Sequence, residues 1–174
     1  MTHFHAQRPQ PDEHLPYFHR YVQLVPEGDV LVTLQRQLSE SLTRLRALTE
    51  EQSNVRPAPG EWNAKEILGH VNDGERIFAH RALWFARGDA QALPGIEPLD
   101  YMRSAAFDQR RWTDVVNEFE TIRRATLSLL LSFDEAAWDR RGVASGHPVS
   151  VRALAFIIAG HELEHLAAIQ QQAV

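Results

Sequence analysis

Two imidazoles four positions apart, His161 and His165 in the run Gly160-His161-Glu162-Leu163-Glu164-His165, are the residues of this sequence best suited to hold a metal ion. On a helix, positions i and i+4 share one face about a turn apart, so both rings reach the same ion. The run also fits His-Glu-x-x-His, in which the intervening Glu serves a zinc protease as general base. Such sites take a third protein ligand, usually supplied downstream of the second His. The nine residues from Leu166 to Val174 hold no His, Asp, Glu or Cys. A third ligand must come from earlier in the chain.

The candidates outside the N-terminal stretch are His70, His80 and His147. At 100° per residue, His70 shares its direction with Ile67, Gly74, Ile77, Arg81 and Phe85, the stripe that should face a core, whereas His80 points away. Gly74 removes a side chain one turn above His70, leaving room for an open coordination position. His161 and His165 share a face with Leu154, Ile157, Ile158, Ala168 and Ile169. Three inward histidines on two helices can meet inside a bundle, a usual place for a metal. Neutral imidazole suits zinc, nickel, iron or copper, and three such ligands leave a position for water or substrate. The bland alternative is a set of core histidines with satisfied hydrogen bonds. His147, in the loop before the last helix, is a candidate for the pocket mouth.

The elements that must position these residues are helical. Asp29 is the N-cap of a helix carrying Leu31, Leu34, Leu38, Leu42, Leu45 and Leu48 at three- and four-residue spacing, ended by Arg56-Pro57-Ala58-Pro59-Gly60. Asn63, with Glu66 three residues on, opens a second helix that runs to about Arg87. A third is expected over Tyr101–Leu131, with Phe107, Val115, Phe119, Ile122, Leu129 and Leu130 inward. A turn at Asp134–Trp138 and a loop over Arg140–Pro148 lead to Ser150, the N-cap of a fourth helix. No strand-like alternation of useful length is present. The expectation is an all-α four-helix bundle over residues 29–174, with an extended arm over residues 1–28. The aromatics Phe4, Tyr17, Phe18 and Tyr21 should staple that arm down, around a short helical turn near Leu15–Leu24. Its histidines, His3, His5, His14 and His19, are expected to be solvated.

Composition narrows the function classes. The chain has 174 residues, 44% of them hydrophobic, enough for one domain with a substantial core. A net charge of −5 without a Lys/Arg cluster argues against a nucleic-acid surface. No apolar run approaches a membrane span and no signal peptide is apparent, so a cytoplasmic protein is expected. There are no cysteines, which removes disulfides, thiolate ligands and a Cys nucleophile together. Any thiol chemistry needs a thiol carried on another molecule.

The stretch Pro59-Gly60-Glu61-Trp62-Asn63-Ala64-Lys65-Glu66-Ile67-Leu68-Gly69-His70 resembles the helix-two signature of the DinB/YfiT-like superfamily. Glu75-Arg76, the run from Arg81 to Asp89, Leu93-Pro94-Gly95 and the run from Gly160 to Leu166 resemble its continuation. The resemblance covers the chain from about Tyr21 onward. It implies a four-helix bundle, often dimeric, with a divalent metal (zinc or nickel, with iron or manganese as alternatives) on three histidines. Those histidines carry over to His70, His161 and His165, the residues the helix wheels select.

Three function classes stand. The first is a metal-dependent transferase that activates a low-molecular-weight thiol, such as bacillithiol, mycothiol or glutathione, against a small electrophile; Arg81 could hold a carboxylate of the cosubstrate, its alternative being an internal salt bridge. The second is a metal-dependent hydrolase with Glu162 as base, although Glu162 and Glu164 flank the histidine direction and could instead be solvated or orient an imidazole. The third is a non-enzymatic metal- or ligand-binding stress protein. A homodimer acting on a small molecule, without nucleic acid or membrane, is the expected context.

Overall fold

The computed structural model describes residues 7–172. Its helices are α1 (His19–Leu24), α2 (Val30–Ala47), α3 (Glu50–Ser53), α4 (Ala64–Ala86), α5 (Pro98–Ala105), α6 (Trp112–Leu131), α7 (Glu135–Asp139) and α8 (Val151–Gln172). The long helices α2, α4, α6 and α8 form the four-helix bundle; α4 packs on both α6 and α8, and α1 lies along α8.

The starts of three long helices follow from their caps. The Asp29 carboxylate accepts from the Leu31 N–H at 2.8 Å. Asn63 and Glu66 exchange side-chain to backbone bonds of 3.0 and 2.9 Å in a complete capping box. Ser150 Oγ accepts from Ala153 N–H at 3.0 Å. From Ala153 to Glu162 every residue of α8 is buried, which makes it the central helix. Each large apolar side chain it buries, Phe156 and Ile157 among them, contributes about 1.5–3 kcal/mol.

The long third helix expected over 101–131 is broken. Ala106 sits at φ +48°, the left-handed region, between α5 and a short 3-10 turn at Phe107–Gln109, and α6 begins only at Trp112. The break lets the Phe107 ring pack against α4 at Gly69, where an added Cβ would come within 2.3 Å of it. Of the residues expected inward, Leu129 is only half-buried, and Leu127 is buried beside Leu130.

The loop expected over 140–148 is instead largely a hairpin. Strand β1 (Arg141–Ala144) pairs antiparallel with β2 (His147–Ser150), with Arg141 opposite Ser150 and Ala144 opposite His147. Its two-residue turn, Ser145-Gly146, has φ of +56° and +77°, as a type I′ turn requires. Four-residue strands are too short to show alternation. The Leu93 N–H donates to the Val143 carbonyl at 2.9 Å, and Ser145 N–H donates to the Leu93 carbonyl at 3.1 Å, tying the loop after α4 to the hairpin.

The N-terminal segment is less extended than expected, with 3-10 turns at Pro11–Glu13 and Pro16–Phe18 before α1. It is fastened both by apolar burial, with Tyr21, Val22 and Val25 in the core and Phe18 packed against it, and by ion pairs. The buried Glu13 carboxylate accepts from Arg152 at 2.6 and 2.7 Å and from Ser150 Oγ at 2.6 Å. Tyr21 is buried while Tyr17 is exposed; Phe4, His3 and His5 lie outside the described residues. His14, expected in solvent, is buried and stacks on His19 at 5.7 Å.

Candidate metal centre

α4 delivers His70 and α8 delivers His161 and His165 to one corner of the bundle. His70 Nε2 and His161 Nε2 lie 3.0 Å apart. The ring centroids are separated by 4.9 Å (70 to 161), 4.8 Å (70 to 165) and 4.4 Å (161 to 165). One ligand-capable nitrogen from each ring lies within 4.8 Å of the other two. Three nitrogens on a tetrahedral zinc, at about 2.0–2.1 Å each, stand roughly 3.3 Å from one another. The cluster needs little adjustment to reach that spacing.

Its electrostatics point the same way. His165 Nε2 is buried and has no hydrogen-bond partner, an arrangement that costs free energy unless something else occupies the lone pair or proton. Burial, with the neighbouring His70 and Arg20 adding repulsion, pushes His165 down to about 4. Burial pushes His161 well below its ordinary range, with His165 and His70 contributing further, and burial also lowers His70. All three imidazoles are therefore neutral at pH 7 and have lone pairs to offer. The donor set fits a borderline divalent cation with one position left open.

Small residues set the geometry. A Cβ at Gly74 would come within 2.9 Å of His161 Cε1, so the space at this glycine is taken by the His161 ring and is not an open coordination position. A Cβ at Gly160 would lie 1.9 Å from the Tyr21 carbonyl oxygen; only glycine lets α1 come this close to α8. The Tyr21 ring stands edge-on to His161 at 5.2 Å, and Trp62 lies 5.2 Å from His70 on the other flank. Arg20 donates to Tyr21 Oη at 2.7 Å and pairs with Glu164 at 3.4 Å. Trp62 stands in the helix-two signature and Tyr21 among the aromatics expected to staple the arm, but neither was assigned to the site, because aromatics that pack around a ligand look in sequence like any core residue.

Glu162 is placed differently from its neighbours. Its carboxylate accepts from Ser41 Oγ at 2.5 Å and pairs with Arg123 Nη1 at 2.6 Å. Arg123 also forks onto Glu75, Nε and Nη2 each donating at 2.8 Å. Arg123, Glu75 and Glu162 are at most 3% exposed. Sequence reading missed this cluster, although Arg123 stands on the stripe of Phe119, Ile122 and Thr126, where a charge is conspicuous.

A cavity of about 310 Å³ opens against the histidines, lined by His70, His161, Gly74, Phe78, Tyr21 and Arg81 among others. Glu162 and Glu164 do not line it. His147 lies apart from the three histidines and lines a space of about 50 Å³, shared with Arg81 and Ser145. His80 is exposed on the far face of α4, its ring tilted 42° against that of Trp84 at 5.6 Å.

The fold is found in proteins of known structure. YfiT from Bacillus subtilis, described as a probable metal-dependent hydrolase with an unusual four-helix bundle topology, superposes with a TM-score of 0.69 at 12% identity, over 95% of this chain and 90% of that one. The mycothiol-dependent maleylpyruvate isomerase superposes with a TM-score of 0.65 at 13% identity, over 79% of this chain and 58% of that one. At these identities the likeness establishes the fold alone. No curated protein matches the sequence. The DinB superfamily model matches residues 33–169, a span that contains all three histidines. The chain belongs to the DinB superfamily.

Proposed function

We propose that this protein is a metal-dependent transferase that uses a low-molecular-weight thiol, with a divalent ion, zinc or nickel, held by His70, His161 and His165. The observation that carries the reading is the convergence of three neutral imidazoles, His70 and His161 lining a largely apolar cavity and His165 beside them with a buried, unpartnered Nε2. A bound divalent ion supplies Lewis-acid chemistry that lowers the pKa of a thiol or water in its open position. The chain's own contribution is to hold three ligands uncharged, to shield them with Tyr21 and Trp62, and to leave one side open to the cavity. Because the chain has no cysteine, the thiol must come from a second molecule, as it does for the mycothiol-dependent isomerase of the same fold. No helix of the described residues is long and apolar enough to cross a membrane. The proposal places the protein in the cytoplasm as a homodimer, without a nucleic-acid partner; light scattering tests the dimer.

Hydrolysis is the second reading, supported by the description of YfiT. It asks Glu162 to act as base, yet that carboxylate is engaged by Ser41 and Arg123. The thiol reading asks nothing of Glu162 and is preferred. The test is a conjugation assay on metal-loaded protein with bacillithiol, mycothiol and glutathione against a panel of small electrophiles, preceded by elemental analysis of protein purified without chelator. About one ion per chain and a thiol-dependent rate that disappears in His70→Ala support the proposal. A full-length protein that takes up no divalent ion removes both enzymatic readings and leaves a ligand-binding role.

A further inference from the structure

Eleven positions beyond His70 on α4, Arg81 is 5% exposed and lines the same cavity as His70 and His161. Its Nη2 donates to the Pro94 carbonyl at 3.1 Å and to Ser145 Oγ at 3.2 Å. Nε and Nη1 have no acceptor among the described residues, although a guanidinium carries five N–H donors. No carboxylate pairs with Arg81 among the described residues, and no Asp or Glu lines the cavity. Burial alone lowers its pKa, with nothing nearby to offset the cost of the charge. The internal salt bridge that would have been its ordinary explanation is absent.

The rest of the cavity says what kind of molecule could answer that charge. Phe18, Phe78, Ile77 and Ile96 give it apolar walls, and about 310 Å³ is at the small end of ligand pockets. Arg81 is the single Arg or Lys of the lining, so one carboxylate balances it at its own end of the cavity, apart from the charge an ion on the histidines would bring. Eleven residues of helix rise roughly 16 Å, and helix side chains lean back toward the N-terminus, so the guanidinium and the histidines stand on the order of 10 Å apart. With Nη2 held by Pro94 and Ser145, the N–H groups of Nη1 and Nε remain free to donate, each to a single acceptor oxygen.

We propose that Arg81 is the specificity-determining residue of this cavity, and that its substrate is a small monocarboxylate with an apolar body whose carboxylate accepts from the free Arg81 guanidinium N–H groups while its other end lies toward His70 and His161. This deepens the proposed function and rests on it for the direction in which the substrate lies. The ligand series is benzoate, 3-phenylpropionate, 4-phenylbutyrate and hexanoate, each paired with its primary amide of nearly equal shape. Binding is measured by calorimetry and by chemical-shift perturbation, on zinc-loaded and on chelator-treated full-length protein.

For at least one member, the acid is expected to bind the wild-type protein at least tenfold more tightly than its amide, with or without zinc. In Arg81→Met the acid loses that advantage while amide affinity and zinc stoichiometry stay as they were; Arg81→Lys keeps part of the preference because the charge remains without the guanidinium's tether to Pro94 and Ser145. The wild-type acid-to-amide ratio tests the proposal even where a variant folds poorly. Equal binding of acid and amide, a preference that survives in Arg81→Met, or no binding by any member overturns it. The two proposals fail separately. Zinc uptake without acid preference overturns the role of Arg81 and leaves the metal centre; acid preference without zinc uptake supports Arg81 and overturns the metal centre.

Discussion

Two groups of polar side chains are built into the same bundle within one residue of each other on α8, and they are solved in opposite ways. At Glu162 the buried charge is answered internally: Arg123 lies between Glu75 and Glu162, with Ser41 completing the set. One residue earlier, at His161, three imidazoles meet without an acid, a hydroxyl or a carbonyl to take up the buried Nε2 of His165. Burial acts on both groups. In the first it is opposed by the two carboxylates, so the net effect raises the Arg123 pKa. In the second burial comes first and neighbouring positive charge adds to it, so the imidazoles are held neutral. The first cluster pairs its charges internally, and the second offers three uncharged nitrogens that the proposed ion would take up. Residue type alone does not show that difference.

The most severe way to break the comparison is to open the closed cluster. Arg123→Leu leaves two carboxylates buried without a cation, Glu162 keeping only the Ser41 hydroxyl, and should cost about 3–5 kcal/mol, or roughly 6–20 °C in Tm for a chain this size. Adding Glu75→Gln and Glu162→Gln to the same protein should recover about half of that loss, since no unpaired charge remains. Urea denaturation of the metal-free proteins measures both. A single variant that is destabilised by less than about 1 kcal/mol would mean the network is not the closed unit described.

The complementary change should do the reverse. His70→Ala removes one ligand and is expected to weaken zinc binding by more than about 100-fold, beyond the range usual for residues that merely orient a ligand. Stability without metal should change little, because the lost ring is a desolvated group with no hydrogen-bond partner besides His161. Calorimetric zinc titration and denaturation of the same preparation separate the two effects. A large loss of metal-free stability with zinc binding intact would make the histidines an ordinary polar core.

How much of this was visible in the sequence differs between the two clusters. The clustering of the histidines was legible because residues that could share an ion must share a helix face, and the wheel for α4 placed His70 inward with the other two and His80 outward, as the structure has them. The bundle was legible for the same reason: leucine spacing and the caps at Asp29, Asn63 and Ser150 are local signals. The break at Ala106 was not, because it is driven by Phe107 packing on Gly69, a contact across 38 positions of sequence. The hairpin at Arg141–Ser150 was missed because each strand has four residues. The partners of Glu162 were out of reach, since Ser41 and Arg123 come from two other helices. Arg81 was readable as an inward cation but not as an unpaired one.

Acid offers a gentler probe of the open cluster. His165 titrates near 4 in the folded protein and near 6.5 when unfolded, so between these values the unfolded chain binds the additional proton. Metal-free stability should therefore rise with pH across this window, and the contribution of His165 is lost as pH falls from 6.5 toward 4. Between pH 6.5 and 5 one such imidazole contributes about 1–2 kcal/mol. Denaturation at several pH values should show this decline in the wild-type protein and a shallower one in His165→Ala. Identical slopes would mean His165 is not held neutral by its surroundings.

The finest test separates cluster geometry from fold stability at one atom. In Gly74→Ala the new methyl would stand 2.9 Å from His161 Cε1, too close unless the ring moves by a few tenths of an ångström. The neighbour is a side-chain ring on another helix, so the backbone has no reason to shift. Ala also favours a helix interior over Gly by about 1 kcal/mol, which offsets the crowding. Metal-free stability is thus expected to be unchanged or slightly higher, while zinc affinity falls by about tenfold, near 1.4 kcal/mol, as His161 leaves its position opposite His70. Because Glu75, held by Arg123, follows Gly74 directly in the chain, the double variant with Arg123→Leu measures whether the two clusters couple. Loss of stability with zinc affinity unchanged would show instead that the bundle, and not the histidine cluster, depends on this glycine.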